Sequence, residues 1–266
     1  LVRAAAPMTT RRDVLQRAGA AALGGFGARP ARAASAARGR VVVIGGGYGG
    51  ATAARYLRAW SAGPIEVVLV ERDSAFVSCP MSNLVIGGHG DIATLTYGYD
   101  ALRREGVRVI HDVATQVDTE RRVVTLQRGA PIAYERLVLS PGVDFIWDAL
   151  PSFADEAVRR RYLHAWQAGE QTTALRRQTE SMRPGGVFAI AIPLAPFRCP
   201  PAPYERACQV ASMLARRNPG AKVLILDAND DVLSKKELFK RAWSELYPGI
   251  VEYRPNCTLV DVDAAT

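Results

Sequence analysis

Chemistry in this sequence of 266 residues concentrates in one glycine-rich turn, Gly45-Gly46-Gly47-Tyr48-Gly49-Gly50, and in two loops that carry Cys79 and Cys199. Gly45, Gly47 and Gly50 form G-x-G-x-x-G. In that motif the first glycine permits a tight turn, the second lets backbone approach a pyrophosphate, and the third lets a helix pack closely on a strand. The β-branched run Arg40–Ile44 precedes the turn and a helical stretch, Ala51–Trp60, follows it. The helix start then presents free N–H groups to phosphate. A second strand, Ile65–Val70, ends in Glu71, 21 residues after Gly50, where a ribose hydroxyl needs an acceptor. An acid at this position suits an unphosphorylated ribose, as in FAD or NAD. Cys79 follows that strand in Val77-Ser78-Cys79-Pro80, and Cys199 sits among prolines in Pro196-Phe197-Arg198-Cys199-Pro200-Pro201. The mid-helix Cys208 and the late Cys257 read as small core residues.

The elements that must position these residues alternate between strand and helix, the pattern of an α/β fold. Val107–Ile110 and Val123–Leu126 read as strands flanking a connection, and Leu137-Val138-Leu139 as a strand ending in the small-residue turn Ser140-Pro141-Gly142. This order is similar to that of flavoproteins with two dinucleotide-binding domains (the glutathione-reductase-like fold), in which such a turn closes the first FAD segment. FAD is therefore the better reading than NAD. A second strand–turn–helix unit follows: a strand ending at Ile192, a helix Tyr204–Arg217, and a strand Lys222–Leu226 ending in Asp227. Its turn, Pro193–Glu205, holds five prolines and no glycine. Prolines remove N–H donors and fix φ, so this backbone is expected not to cradle a pyrophosphate. The second unit reads as a nicotinamide domain that has lost its binding chemistry.

Composition narrows the classes. With 48% hydrophobic and 23% charged residues the chain can bury a core. No run approaches the roughly 20 apolar residues of a membrane-spanning helix. His89, His111 and His164 have no metal-ligand spacing and read as ordinary surface or core histidines. The net charge is +8, but residues 1–40 carry eight arginines against Asp13 alone, +7, which leaves +1 for the remaining 226 residues. A phosphate-binding groove belongs in the folded body, so nucleic acid is not an expected partner. The basic segment instead has export-signal anatomy: adjacent Arg11 and Arg12, an Ala/Gly-rich stretch Ala18–Ala28, and small-x-small sites at Ala31–Ala33 and Ala34–Ala36. Residues 1–36 are expected to be a twin-arginine signal peptide, the mature protein to be periplasmic, and the FAD-binding segment and the second domain to occupy 37–146 and 147–266.

Several unusual blocks carry a family resemblance. These are Ser78-Cys79-Pro80-Met81-Ser82-Asn83 with Val85-Ile86-Gly87-Gly88, His164-Ala165-Trp166 leading to Gly169-Glu170-Gln171-Thr172, and Ala195-Pro196-Phe197-Arg198-Cys199-Pro200-Pro201 with Pro203-Tyr204-Glu205-Arg206-Ala207. From about Arg40 onward the chain resembles the flavoprotein subunit of flavocytochrome c sulfide dehydrogenase. The resemblance implies FAD attached through a thioether to Cys79, Cys199 as half of a redox-active disulfide beside the flavin, and Glu205 as proton acceptor. It implies FAD contacts from Gly45, Gly47, Tyr48, Gly49, Gly50, Glu71, Arg72, Cys79, Asn83, Val113, Ser140, Pro141 and Gly142. It also implies sulfide as substrate and a separate c-type cytochrome subunit as partner, since the chain has no Cys-x-x-Cys-His of its own.

Family members are longer. The rest of the second domain, a returning FAD segment and an interface domain are expected to follow Thr266, which makes the chain read as truncated at its C-terminus. Cys208, nine residues after Cys199, is not placed by a strand–turn–helix to bond it, and Cys257 reaches it only if the last segment folds over the turn. Two other readings remain: a sulfide:quinone reductase or NADH dehydrogenase-like flavoprotein, and an inactive flavin-binding partner. Cys79 next to a non-covalent flavin likewise remains open.

Overall fold

The computed structural model describes residues 39–61 and 63–263. The signal-peptide reading of residues 1–36 lies outside them. The chain runs β1 (Gly39–Ile44), α1 (Tyr48–Trp60), β2 (Ile65–Glu71), β3 (Ala75–Val77), α2 (Ser82–Ile86), β4 (Thr96–Gly98), α3 (Asp100–Arg104), β5 (Arg108–His111), β6 (Ala114–Asp118), β7 (Val123–Leu126), β8 (Ile132–Ala133) and β9 (Arg136–Leu139). After 3-10 turns at Trp147–Ala149 and Pro151–Ala154 come α4 (Glu156–Arg161), α5 (Glu170–Glu180), β10 (Val187–Ile192), α6 (Ala202–Arg217), β11 (Lys222–Asp227), α7 (Lys236–Glu245) and β12 (Val251–Arg254).

The first sheet is parallel with strand order β5-β2-β1-β9. Strand periodicity of two divides its side chains between two cores. Val42, Val68 and Val70 face Val124, Leu126, Ile132 and Tyr134 of the antiparallel β6-β7-β8 sheet. Val43, Val67 and Leu69 face Ala54 of α1 and Leu102 of α3. Both faces are covered, which is why β1 and β2 read as continuous apolar runs and not as alternating ones. The second sheet, β10-β11-β12, is also parallel, with α6 and α7 packed on it around Tyr204, Val210, Leu214, Phe239 and Trp243. This is the α/β, two-dinucleotide-binding-domain architecture of FAD/NAD(P)-binding oxidoreductases.

The two units are joined by more than chain connectivity. The five-residue α2 leaves the first unit and lays Ile86, fully buried, into the second unit's core beside Tyr204, Ala207 and Val210. Gly87 makes that approach possible: a Cβ there would lie 2.9 Å from both Cβ and Oε1 of Gln209 on α6. Arg176 of α5 adds a hydrogen bond to the Gly90 carbonyl at 2.9 Å. Ile86→Ala removes buried methyl groups at this junction and is expected to cost about 2–5 kcal/mol. Urea unfolding checks this, with loss of one cooperative transition as the sign that the units have uncoupled.

Candidate functional site

The glycine turn is built by close approach. Gly45, at φ +96°, donates its N–H to the Val70 carbonyl at 2.9 Å as β1 ends. A Cβ on Gly45 would lie 2.1 Å from the Ser140 carbonyl oxygen, and one on Gly50 would lie 1.8 Å from the Gly45 carbonyl oxygen. These two glycines let β1, α1 and the turn after β9 touch. Gly47 differs, because a Cβ there would meet nothing nearer than Phe76 at 3.7 Å. Its freedom is on the open side, where a ligand would approach the start of α1.

Around this turn the structure gathers the other predicted contacts. Glu71 Oε2 accepts from the Gly46 N–H at 2.5 Å and Oε1 from the Asp73 N–H at 2.9 Å. The Arg72 side chain is exposed and pairs with Asp73. Tyr48 stands edge-on to Phe76, with ring centroids 4.8 Å apart, and its hydroxyl hydrogen-bonds Ser78, tying the glycine turn to the Cys79 loop. The Ser140 N–H donates to the Ile44 carbonyl at 2.8 Å, bringing Ser140 and Pro141 against Gly45, with Gly142 at φ +80° in open space. Val113 lies one residue beyond Asp112, whose N–H donates to the Glu71 carbonyl at 3.2 Å. The Val113 N–H is held by the Asp112 carboxylate at 2.7 Å. Open backbone at Gly47, an acid at the end of β2 and a half-exposed Val113 beside it fit the pyrophosphate, ribose and base of a flavin dinucleotide in that order.

The corresponding place in the second unit is closed. Asp227, at the end of β11, is completely buried. Its Oδ2 accepts from the Tyr204 hydroxyl at 2.6 Å and the Tyr253 hydroxyl at 3.2 Å. Its Oδ1 accepts from the backbone N–H and side-chain amide of Asn229, at 3.0 and 2.7 Å. Burial and the neighbouring carboxylate push both phenols above their ordinary range, so they remain donors. Asn229 also braces the proline turn, accepting from the Ala195 N–H at 3.0 Å and donating to the Pro193 carbonyl at 3.0 Å. No lone pair of Asp227 faces a ribose, and the turn has no glycine to admit phosphate.

The proline turn converges on Cys79 instead. The Cys79 thiol donates to the Trp166 carbonyl at 3.6 Å, and the Trp166 ring packs edge-on against Phe197, two residues before Cys199, at 5.5 Å. The Asn83 amide of α2 donates to the Ala202 carbonyl at 3.1 Å and to Glu205 Oε2 at 3.4 Å. The Cys199 carbonyl accepts from the Ala202 N–H at 3.0 Å as α6 starts. Cys199 itself is exposed at φ +57°, and Met81 in the Cys79 loop is at φ +73°. Each left-handed, non-glycine residue costs about 1–2 kcal/mol, a strain the packing of the two loops sustains. All four cysteines are free thiols, with the Cys257 N–H held on the Asp227 carbonyl at 2.7 Å.

Three residues of this cluster are not identified as site residues in the sequence. Arg206, next to Glu205, is 5% exposed and donates from Nη2 to the Ala165 carbonyl at 3.0 Å. Burial lowers its pKa to about 10, opposed by Cys79, Cys199 and Glu205, so it stays charged at neutral pH. His164 is not an ordinary histidine: burial, followed by the Arg206 charge, lowers its pKa to about 4. Trp166 joins the two cysteine loops. The only signal for these three residues is their presence in the His164-Ala165-Trp166 and Pro203-Tyr204-Glu205-Arg206-Ala207 blocks. Among the described residues no group of His, Cys, Asp and Glu could hold a metal ion.

His164 is neutral when folded and takes up a proton near pH 6.5 when unfolded. Its contribution to stability is present above that pH and is lost as pH falls from about 6.5 to about 4. His164→Gln is expected to flatten this part of the stability–pH curve, read from denaturant midpoints across the range.

Residues 39–179 match the family described as pyridine nucleotide-disulphide oxidoreductase, and residues 172–266 match the central region of the sulfide dehydrogenase [flavocytochrome c] flavoprotein chain. The flavoprotein chain of the Chlorobaculum thiosulfatiphilum sulfide dehydrogenase is 59% identical over 46 residues, 17% of this chain and 94% of that sequence. The mitochondrial sulfide:quinone oxidoreductase of Dictyostelium discoideum is 24% identical over 168 residues, 62% of this chain and 36% of its own length. The solved sulfide:quinone oxidoreductase of Aquifex aeolicus superposes with a TM-score of 0.71 at 20% identity, over 85% of this chain and 52% of that one. The chain thus spans about a third to a half of the length of these two quinone oxidoreductases. It belongs to the pyridine nucleotide-disulphide oxidoreductase family, and within it to the group of the flavocytochrome c sulfide dehydrogenase flavoprotein chain.

Proposed function

We propose that this chain is part of a periplasmic, FAD-dependent sulfide dehydrogenase flavoprotein that passes electrons to a c-type cytochrome subunit. The observation that carries this reading is the convergence of the Cys79 loop and the Cys199 turn on Trp166, with Glu205 held by Asn83, beside a second nucleotide site closed by Tyr204, Tyr253 and Asn229. This arrangement favours entry of electrons through sulfur over entry through a nicotinamide.

FAD would be held by Gly45–Gly50, Glu71, Val113 and the Ser140–Gly142 turn, with Cys79 placed for a thioether. When bound, it supplies a two-electron acceptor that can pass electrons on singly to a haem. Cys199 works as half of a redox disulfide, the role that the resemblance to the sulfide dehydrogenase flavoprotein implies for it. Hydrosulfide, largely ionised at neutral pH, forms an S–S bond to one of the two sulfurs while the existing S–S bond breaks, its electron pair staying on the other sulfur as a thiolate. The product is one persulfide and one thiolate, and Glu205, aligned by Asn83, takes the released proton.

The likeness to sulfide:quinone oxidoreductases favours a second reading in which a quinone is the acceptor. Anaerobic titration of the complete flavin-loaded protein separates these readings from an NADH-dependent reductase. Low concentrations of sulfide are expected to bleach the flavin absorbance and NADH is not. Bleaching by NADH overturns the reading of the closed second site. Reoxidation of the sulfide-reduced protein by cytochrome c supports the cytochrome acceptor, and reoxidation by a soluble quinone alone replaces it.

A further inference from the structure

Three buried polar atoms without a hydrogen-bond partner lie in the segments of one cluster: Arg206 Nε, His164 Nδ1 and Asn83 Oδ1. They are three of the four such side-chain atoms among the described residues. A charged donor left unmatched in a protein interior is the costly case, because desolvation of the charge is not repaid locally. Among the described residues Arg206 has one hydrogen bond, to the Ala165 carbonyl, and no carboxylate within salt-bridge distance. The neighbouring Glu205 carboxylate is held by Asn83, and His164 is neutral at working pH and cannot balance the charge. The guanidinium is hydrogen-bonded to the Ala165 carbonyl, next to Trp166, whose carbonyl accepts from the Cys79 thiol and whose ring packs on Phe197 of the Cys199 turn. Burial lowers its pKa, opposed by Cys79, then Cys199, then Glu205.

We infer that Arg206 is a fixed buried cation whose field draws anionic sulfur to Cys199, so that the site takes hydrosulfide-class monoanions in preference to neutral thiols of similar size. The inference rests on the sulfide-oxidising reading and names the charge class of its substrate. The start of α6, at Ala202, adds its positive end to the same neighbourhood. The cation also stabilises the negative charge left on sulfur when a disulfide there opens. Arg206 is a positioning residue acting through space, and a low-dielectric surrounding makes that action strong.

The test needs no sulfide turnover. In the complete protein, after reduction, Cys199 is alkylated with iodoacetate and, separately, with iodoacetamide, and the labelled peptide is quantified. The two reagents differ in charge, so the ratio of their rates reports the local field while intrinsic thiol reactivity cancels. Arg206→Met and Arg206→Gln are expected to lower the iodoacetate-to-iodoacetamide ratio at Cys199 by about tenfold. Arg206→Lys, which keeps the charge and loses the planar fork, is expected to retain most of it. Arg198 remains in every variant, so its contribution is constant. An unchanged ratio in the Met and Gln variants overturns the inference even where sulfide still bleaches the wild-type flavin. A lowered ratio supports it even where sulfide does not. If neither neutral variant folds, the wild type decides: the ratio at Cys199 must exceed that at Cys257, and equal ratios overturn the inference.

Discussion

A short helix from one unit seated on a long helix from the other is the contact on which the site depends. Ile86 of α2 is buried among Tyr204, Ala207 and Val210, and Gly87 lets the backbone pass within van der Waals distance of Gln209. Three positions earlier on the same small element, Asn83 reaches the Ala202 carbonyl and Glu205. Hydrophobic burial supplies the attraction and the Asn83 amide fixes the register. Cys79 lies three residues before the start of α2 and Cys199 three before the start of α6, so the contact that docks the helices also sets the two cysteine loops together. If the helices separated, two dinucleotide-type units would remain with no shared chemistry.

The two units show the same architecture put to opposite use. In the first, glycines remove side chains where a phosphate would pass, and Glu71 stands at the strand end with backbone N–H groups as its partners. In the second, the acid at the equivalent strand end is buried and its four nearest donors saturate it. Tyr204 belongs to that network through its hydroxyl and to the Ile86 contact through its ring. Closing the nucleotide site and docking α2 are therefore done in part by one side chain. The charges at the junction are unbalanced by comparison. Among the described residues Arg206 is held in the interior without a salt-bridge partner, whereas the arginines that form ion pairs are more exposed. An interior cation kept unmatched sets up a field, and its neighbours are the residues expected to do the chemistry.

Much of this was legible from residue order. The strands β1, β2, β9, β10 and β11 lie within a residue or two of where β-branched runs end in small or acidic residues, because a buried parallel strand needs such a run and a turn must follow it. The glycine turn and its acid were equally plain, since their spacing is dictated by backbone approach. The absence of glycine from the proline turn was also plain, and the acid behind it, Asp227, is buried and fully hydrogen-bonded. The hidden features depend on tertiary contact. Five-residue α2 has no helical periodicity to read, and its importance lies in one isoleucine meeting another unit. His164 carries no spacing that marks it; its low pKa comes from being buried near Arg206. The approach of the Cys257 segment to Asp227 and Asn229 follows from β12 pairing with β11, which sequence order alone does not reveal.

The central claim is that electrons enter through the sulfur of Cys199. Rapid mixing of the complete Cys199→Ala flavoprotein with sulfide under anaerobic conditions tests it most directly, with dithionite as the control for a reducible flavin. The account predicts that dithionite bleaches the variant as it does the wild type, while the rapid bleaching by sulfide is lost. Bleaching by sulfide at the wild-type rate in the absence of the Cys199 sulfur would contradict it.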